Sequence, residues 1–527
     1  MRPGNLGPWG LAIFALYVLI ILLISWGARR LRPTSNEFLN ASRSLPTWVV
    51  ALSFLAYNCG SIEVVGMSAM AAQYGVQALH FYWIGGIPGM IFMAVVVLPI
   101  YIQTGARSLP EYLGMRFGAR VRLLDACISM AGTAGSAGVA LYAMAQVLYV
   151  VLGWSLLTGA LISATVVLAY VLLGGIRATI FTSVFQLFVM IAGLAPLVFL
   201  TVHFNAASFA ARTERWHLWQ PLPFVSPHAT LDRFGVALGL GFVISFSYWC
   251  TDFVMIQRAL TARSVDAARK VPLLAAFGKM AFGLLIVLPG VAAPALLRGT
   301  HGLSFDETMP ALMALVLGPA LLALGSAALL AGLMAGLAGN VSGFSALWTE
   351  EVYRTRIHPD RTEQHYIGIG RASAVGCILL GQLAAYATFS FHDLMEFLQL
   401  IVALFYAPVF AGVLAGVVSR RTTERGAFAG IVFGVLSAGA LQGVCWAGYL
   451  RFGSQMSLNF YAAMLSFSVA MLGSLFYGRQ KSKSNEIVQK GLAPSKSIRD
   501  TIGLTPALAV LSAALLTVCV LLNVLWW

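Results

Sequence analysis

Apolar residues in this chain run on in blocks of some twenty or more, broken by short stretches that hold Arg, Gly and Pro. About 20 apolar residues carry a helix across the hydrocarbon of a bilayer. A helix apolar on every face must meet lipid or other helices all round. The pattern predicts fourteen spans: 9–28, 46–74, 78–103, 123–149, 155–174, 178–203, 233–257, 271–297, 308–349, 367–388, 392–417, 426–450, 457–478 and 503–525. The ninth exceeds one crossing, which leaves a tilted helix or one with an extra turn outside. The chain is therefore expected to be an all-α polytopic protein, one integral membrane domain over 1–527. Its longest polar segments, 204–232 and 479–502, are too short to bury a core.

Composition agrees and excludes a soluble domain: 59% of the 527 residues are hydrophobic, 10% are charged, and the mean hydropathy is +0.84. A net charge of +14 would suit nucleic acid, but its distribution argues otherwise. Of the 33 Lys and Arg residues, 26 fall in alternate loops, six on the other side, and Lys279 alone within a span. That asymmetry is the positive-inside rule, and it puts both termini outside the cytoplasm of a cell-membrane protein. No nucleic acid and no obligate protein partner are expected; lipid is the solvent. The first span lacks a small-residue cleavage site and is followed by Arg29, Arg30 and Arg32, so it is expected to stay in the membrane. The six cysteines are scattered through the spans without CxxC spacing and read as packing residues. His358 and His365 sit in a charged loop and read as solvated surface. With no nucleophile, metal cluster or paired acids at one membrane face, an enzyme is not expected.

Two spans carry helix breakers at mid-depth. The second contains Ser53 through Asn58, Cys59, Gly60 and Ser61 to Glu63; the seventh contains Gly239, Gly241 and Ser245 through Tyr248 to Asp252. Unwound membrane helices expose carbonyls and amides to a solute or ion. These breaks open two groups of five spans, 46–203 and 233–417, followed by flanking helices in 418–527. Five is odd, so the groups have opposite orientations, the form of an inverted repeat. Glu63 and Lys279 are the clearest charges within spans, with Glu396 and Asp252 nearer helix ends. Each costs roughly 2.5–3.5 kcal/mol even on a lenient insertion scale. They form a structural pair, or bind solute or a coupling ion; a pair that opens to admit ligand does both.

At these residues the chain resembles the solute:sodium symporter family, and most of all its sodium/glucose cotransporter branch. The resemblance rests on Ser108-Leu109-Pro110-Glu111-Tyr112-Leu113 with Arg116-Phe117-Gly118, and on Gly174-Gly175-Ile176-Arg177-Ala178 with Gln186. It continues through Tyr248-Trp249-Cys250-Thr251-Asp252 with Ile256-Gln257-Arg258-Ala259-Leu260, Lys279 with Leu288-Pro289-Gly290, and Arg421 with Gly426-Ala427-Phe428. It implies a leucine-transporter-type fold, a five-plus-five inverted repeat with flanking helices. It also implies a secondary transporter that moves a small polar organic solute, such as a sugar or related compound, by alternating access with sodium. Solute-binding residues would be Asn58, Glu63, Phe81, Tyr82, Ser245, Lys279 and Gln399, with Tyr248 as inner gate. The family's sodium lies between carbonyls that correspond to Ala56 and Cys59 and two hydroxyls that correspond to Ala335 and Gly336. A supporting aspartate corresponds to Ser183. This chain departs at the last three, since Ala335 and Gly336 have no side-chain oxygen. It departs also at Tyr82, where the sugar branch has a carboxylate, and at Glu63, where that branch has none. Three accounts of coupling follow: sodium on other ligands such as Glu63, protons on Glu63 and Lys279, or an uncoupled facilitator or solute sensor.

Overall fold

The computed structural model describes residues 7–29, 45–204, 214–219, 231–297, 305–388, 394–419, 421–477 and 505–526. Fourteen helical segments follow the order of the predicted spans. They are α1 (Gly7–Arg29), α2a (Thr47–Asn58) with α2b (Ser61–Tyr74), α3 (Ile87–Thr104), α4 (Ala119–Leu152), α5 (Leu156–Leu173), α6 (Gly175–His203), and α7a (Gly235–Thr251) with α7b (Phe253–Leu260). Then come α8 (Val265–Leu296), α9 (Pro319–Ile357), α10 (Glu363–Thr388), α11 (Leu394–Val418), α12 (Glu424–Trp446), α13 (Gln455–Phe476) and α14 (Pro506–Leu525). Eleven of these are long and apolar enough to cross a membrane unbroken, and the α2 and α7 pairs do so as bent spans. The remaining one, α1, is apolar from Ala12 to Ala28.

The long ninth stretch resolves differently from either expectation. Its first part is a separate short helix, Thr308–Val316, and α9 begins afresh at Pro319. Proline disfavours helical backbone in the residue before it, and its ring is at home in the first turn of a new helix. Leu317 is accordingly extended (φ −91°, ψ 133°), as is Gly318 (φ −66°, ψ 167°). Between α5 and α6 the direct turn depends on Gly175, whose φ of 59° and ψ of −152° is backbone that only glycine adopts readily.

α9 forms the centre of the bundle: every residue from Gly325 to Leu347 is buried. Its Ala- and Gly-rich surface lets neighbours approach closely, as small residues do in membrane bundles. A Cβ on Gly193 of α6 would lie 2.5 Å from Ala328 Cβ, and one on Gly60 would lie 2.8 Å from Gly332 O. The break in the second span therefore rests directly on the α9 backbone. The two broken spans are bent alike, by 51° for α2 and 53° for α7.

Candidate functional site

The bend in α2 is made by Cys59 (φ −81°, ψ 22°) and Gly60 (φ −58°, ψ 168°). Glu63 then falls in the first turn of α2b, where the helix dipole favours a carboxylate. Across the bundle α8 presents Lys279, 3% exposed. Its Nζ donates to Glu63 Oε1 at 2.6 Å and to Asn58 Oδ1 at 2.6 Å. The ammonium also lies 4.7 Å from the centre of the Tyr82 ring and 5.4 Å from that of Trp249. It has a carboxylate, an amide oxygen and two aromatic faces around it, which is how a buried cation is tolerated.

Asn58 passes the network on, donating through Nδ2 to the Tyr248 hydroxyl at 3.1 Å. Tyr248 stands on α7a, with its ring 5.3 Å from that of Trp249 and 6.2 Å from that of Tyr406. The second bend is held by Asp252. Its Oδ1 accepts from Met255 N–H at 2.8 Å, capping α7b, and its Oδ2 accepts from Tyr406 OH at 3.1 Å.

These groups line one cavity at the level of both bends, with an empty volume of about 880 Å³ counted out to its mouth. Asn58, Glu63, Phe81, Tyr248, Lys279 and Gln399 all face it, so the structure brings together six of the eight expected solute and gate residues. Tyr82 and Ser245 do not line it. Tyr82 is fully buried behind Lys279, its ring packed where a Cβ on Gly283 would lie 2.6 Å away. Ser245 Oγ is turned towards the backbone of Gly89 on α3. Sequence reasoning missed Trp249, whose Nε1 donates to Gly85 O at 3.1 Å, and Asn340, which accepts from Tyr57 OH at 2.9 Å. Trp249 follows the gate tyrosine directly in the chain. Asn340, the one amide at the end of the small-residue run 331–339, was also a visible signal.

Gln399 on α11 has its Nε2 3.5 Å from Met395 Sδ, while its buried Oε1 has no hydrogen-bond partner among the described residues. A buried acceptor left unpaired is costly, and this one sits on the cavity wall. The rest of the wall is largely apolar, with Met67, Leu240, Ile244, Met395, Leu398 and Val402. Such a wall with a few convergent polar groups is the general form of a small-molecule site.

The positions implied for sodium are all buried. Ala56, Cys59, Ala335 and Ser183 are 0% exposed, and Gly336 lines the cavity. Ser183 Oγ donates to Thr179 O at 2.5 Å. A Cβ on Gly336 would meet nothing within 4 Å, so the space a hydroxyl there would use is open.

Comparison with known proteins agrees with this geometry. The model of the sodium:solute symporter family matches residues 38–434. A sodium/glucose cotransporter of Vibrio parahaemolyticus is 26% identical over 455 residues, which cover 80% of this chain and 82% of that protein. A sodium/myo-inositol cotransporter 2 of Rattus norvegicus is 26% identical, over 82% of this chain and 69% of that one. Among solved structures, a substrate-bound, outward-open Na+-coupled sialic acid symporter superposes with a TM-score of 0.72 at 15% identity, covering 89% of this chain and 98% of its own. A nucleobase-cation-symport-1 family transporter in a closed conformation gives 0.55 at 13% identity, with 92% and 99% coverage. At such identities the likeness establishes the fold, a leucine-transporter-type bundle.

Proposed function

The chain belongs to the sodium:solute symporter family, and on that premise we propose that its cavity binds a small, uncharged, hydroxyl-rich organic solute and carries it across the membrane by alternating access. It is a secondary transporter embedded in the membrane by many spans. We propose no catalytic activity for it. Both termini are assigned to the non-cytoplasmic face, from the loop charge alone.

One observation carries the choice of solute. Among the described residues the charged side chains on the cavity wall are Lys279, Glu63 and Asp252; the first two neutralise each other at 2.6 Å, and Asp252 is engaged at the second bend by Met255 N–H and Tyr406 OH. A charged solute would have to break that pair in a low-dielectric site, whereas a neutral polyol meets it as a donor and an acceptor already in place. Asn58 and the unpaired Gln399 Oε1 add further polar contacts. Phe81 and Tyr248 supply aromatic faces of the sort that pack against a sugar or inositol ring. The relatives named for glucose and myo-inositol support the same class. The two groups of five helices, 46–203 and 233–417, are the bodies we propose to move against one another about the bends at Cys59–Gly60 and Asp252.

The test is uptake from a mixed pool of sugars, polyols and amino acids into proteoliposomes, with an inward sodium gradient or an equal choline gradient, read by mass spectrometry. A neutral polyhydroxy solute should be retained above protein-free vesicles, and Lys279→Ala should lose that retention. Retention of amino acids alone would overturn the solute class; retention of nothing would overturn the transport reading itself.

A further inference from the structure

α4 and α12 start side by side on the face that the loop charge assigns to the cytoplasm, and a crevice runs between them. Its empty volume is about 1280 Å³ counted out to its mouth, and it shares no residue with the solute cavity. The walls are apolar: Leu123 and Leu124 of α4 face Phe428 and Ala429 of α12, and the exposed Cys127 lies one turn further along α4. Arg120 and Arg425 stand at its mouth, each the second residue of its helix. Tyr477, 58% exposed just past the end of α13, completes the lining.

The one acid in the crevice is engaged elsewhere. Glu424 Oε1 accepts from the Arg120 N–H at 3.1 Å, so its carboxylate sits on the start of α4, where the helix dipole favours it. A Cβ on Gly118 would come within 2.7 Å of Glu424 Cδ, so the approach depends on the bare glycine that precedes α4. The two guanidinium groups stay uncommitted: among the described residues neither takes part in an ion pair.

We propose that this crevice holds one anionic phospholipid of the cytoplasmic leaflet, with its phosphate between Arg120 and Arg425 and an acyl chain along the apolar walls towards Cys127. Guanidinium groups bind phosphate oxygens through paired N–H donors, and basic pockets between membrane helices on this face take anionic headgroups. The depth fits: Cys127 lies about 10 Å further along the helix than Arg120, below the headgroup level. Tyr477 is of the residue type that sits at that level. A soluble phosphate would meet the arginines and leave the apolar walls uncovered. A neutral lipid would cover the walls and leave the arginines without an anion. An anionic phospholipid does both.

The native Cys127 thiol reports on the occupant, and the test needs no solute. The full chain in neutral maltoside micelles is titrated with dioleoylphosphatidylglycerol or dioleoylphosphatidylcholine, which share their acyl chains and differ in headgroup charge. Native mass spectrometry reads the lipid retained by the chain. Peptide mass spectrometry follows alkylation of Cys127 by N-ethylmaleimide, with the part-exposed Cys445 as internal control. Phosphatidylglycerol should be retained and should slow alkylation of Cys127 several-fold, phosphatidylcholine should do neither, and Arg120→Gln/Arg425→Gln should lose both effects. Equal retention and protection by the two lipids would overturn the proposal, as would phosphatidylglycerol protection that persists in the double variant. Where the double variant does not elute as a single species, Arg425→Gln alone carries the same comparison with the same readings.

Discussion

Lys279 Nζ lies 2.6 Å from Glu63 Oε1, with the two side chains 4% and 12% exposed. A pair this deep contributes little net stability while intact, but removing one partner strands the other's charge, typically at about 3–5 kcal/mol. Lys279→Ala should therefore both abolish uptake and lower the unfolding temperature, and Glu63→Gln should follow in the same direction. The double variant Lys279→Met/Glu63→Leu should recover most of the thermal stability without recovering uptake. If the double variant transports normally, the pair is structural and the solute binds elsewhere.

The link between Asn58 and Tyr248 separates the gate's hydroxyl from its ring. Tyr248→Phe removes the acceptor 3.1 Å from Asn58 Nδ2 but keeps the aromatic face. One such bond contributes about 1 kcal/mol, so uptake should fall by a factor of roughly five to ten while the fold persists. Tyr248→Ala removes the ring that stands beside Trp249 and Tyr406 and should lose uptake altogether. Equal uptake by the two variants would show that the ring does not gate the cavity.

Much of this site was legible in the sequence because its chemistry is expensive in a membrane. Glu63 and Lys279 are conspicuous as charges inside apolar spans, and Gly60 marks a break that the α2 bend confirms. Tyr82 and Ser245 fall outside the cavity wall for a physical reason. Both sit at the correct depth, but whether a side chain faces the cavity or the layer behind it depends on helix rotation, which an all-round apolar helix does not encode. In the sequence Arg258 stands out only as part of a motif. Its place at the end of a span read as loop charge, and only the 53° turn at Asp252 carries it back beneath α2a. The Gly318–Pro319 interruption that divides the ninth stretch was visible as residues but was outweighed by the unbroken hydropathy around it.

Two glycines three residues apart on α9 should respond oppositely to alanine. A Cβ on Gly339 would run into Tyr57 Cδ2, in a ring pinned by its bond to Asn340 and by Arg258 above it. Overpacking of this kind costs about 1–3 kcal/mol, and Gly339→Ala should lower the unfolding temperature by about 1–3 °C. Gly336→Ala meets nothing within 4 Å and gains helix propensity of up to about 1 kcal/mol. Thermal unfolding of the two variants side by side is the check. A loss at Gly336 equal to that at Gly339 would contradict the packing described for α9.

A second anchor, away from the cavity's polar network, concerns the short segment 214–219. The peptide of Leu218 is held from both sides: its N–H donates to Trp526 O at 2.8 Å, and its carbonyl accepts from His80 Nε2 at 2.7 Å. Rings reinforce both links, with His80 4.4 Å from Trp219 and Trp83 stacked 5.4 Å from Trp526. Arg215 adds bonds from Nη2 to Ala71 O at 3.2 Å and Ala72 O at 2.5 Å, closing the last turn of α2b. The segment thus straps the end of α2b to the end of α14, and it can move only if these bonds open. His80→Phe keeps a ring against Trp219 but deletes the bond to Leu218, a loss of about 1 kcal/mol. Backbone hydrogen exchange at 214–219 should then rise about fivefold, with little change in α9, where the packing is unaltered. Unchanged exchange in the segment would mean that Arg215 and the Trp526 contact hold the strap without His80.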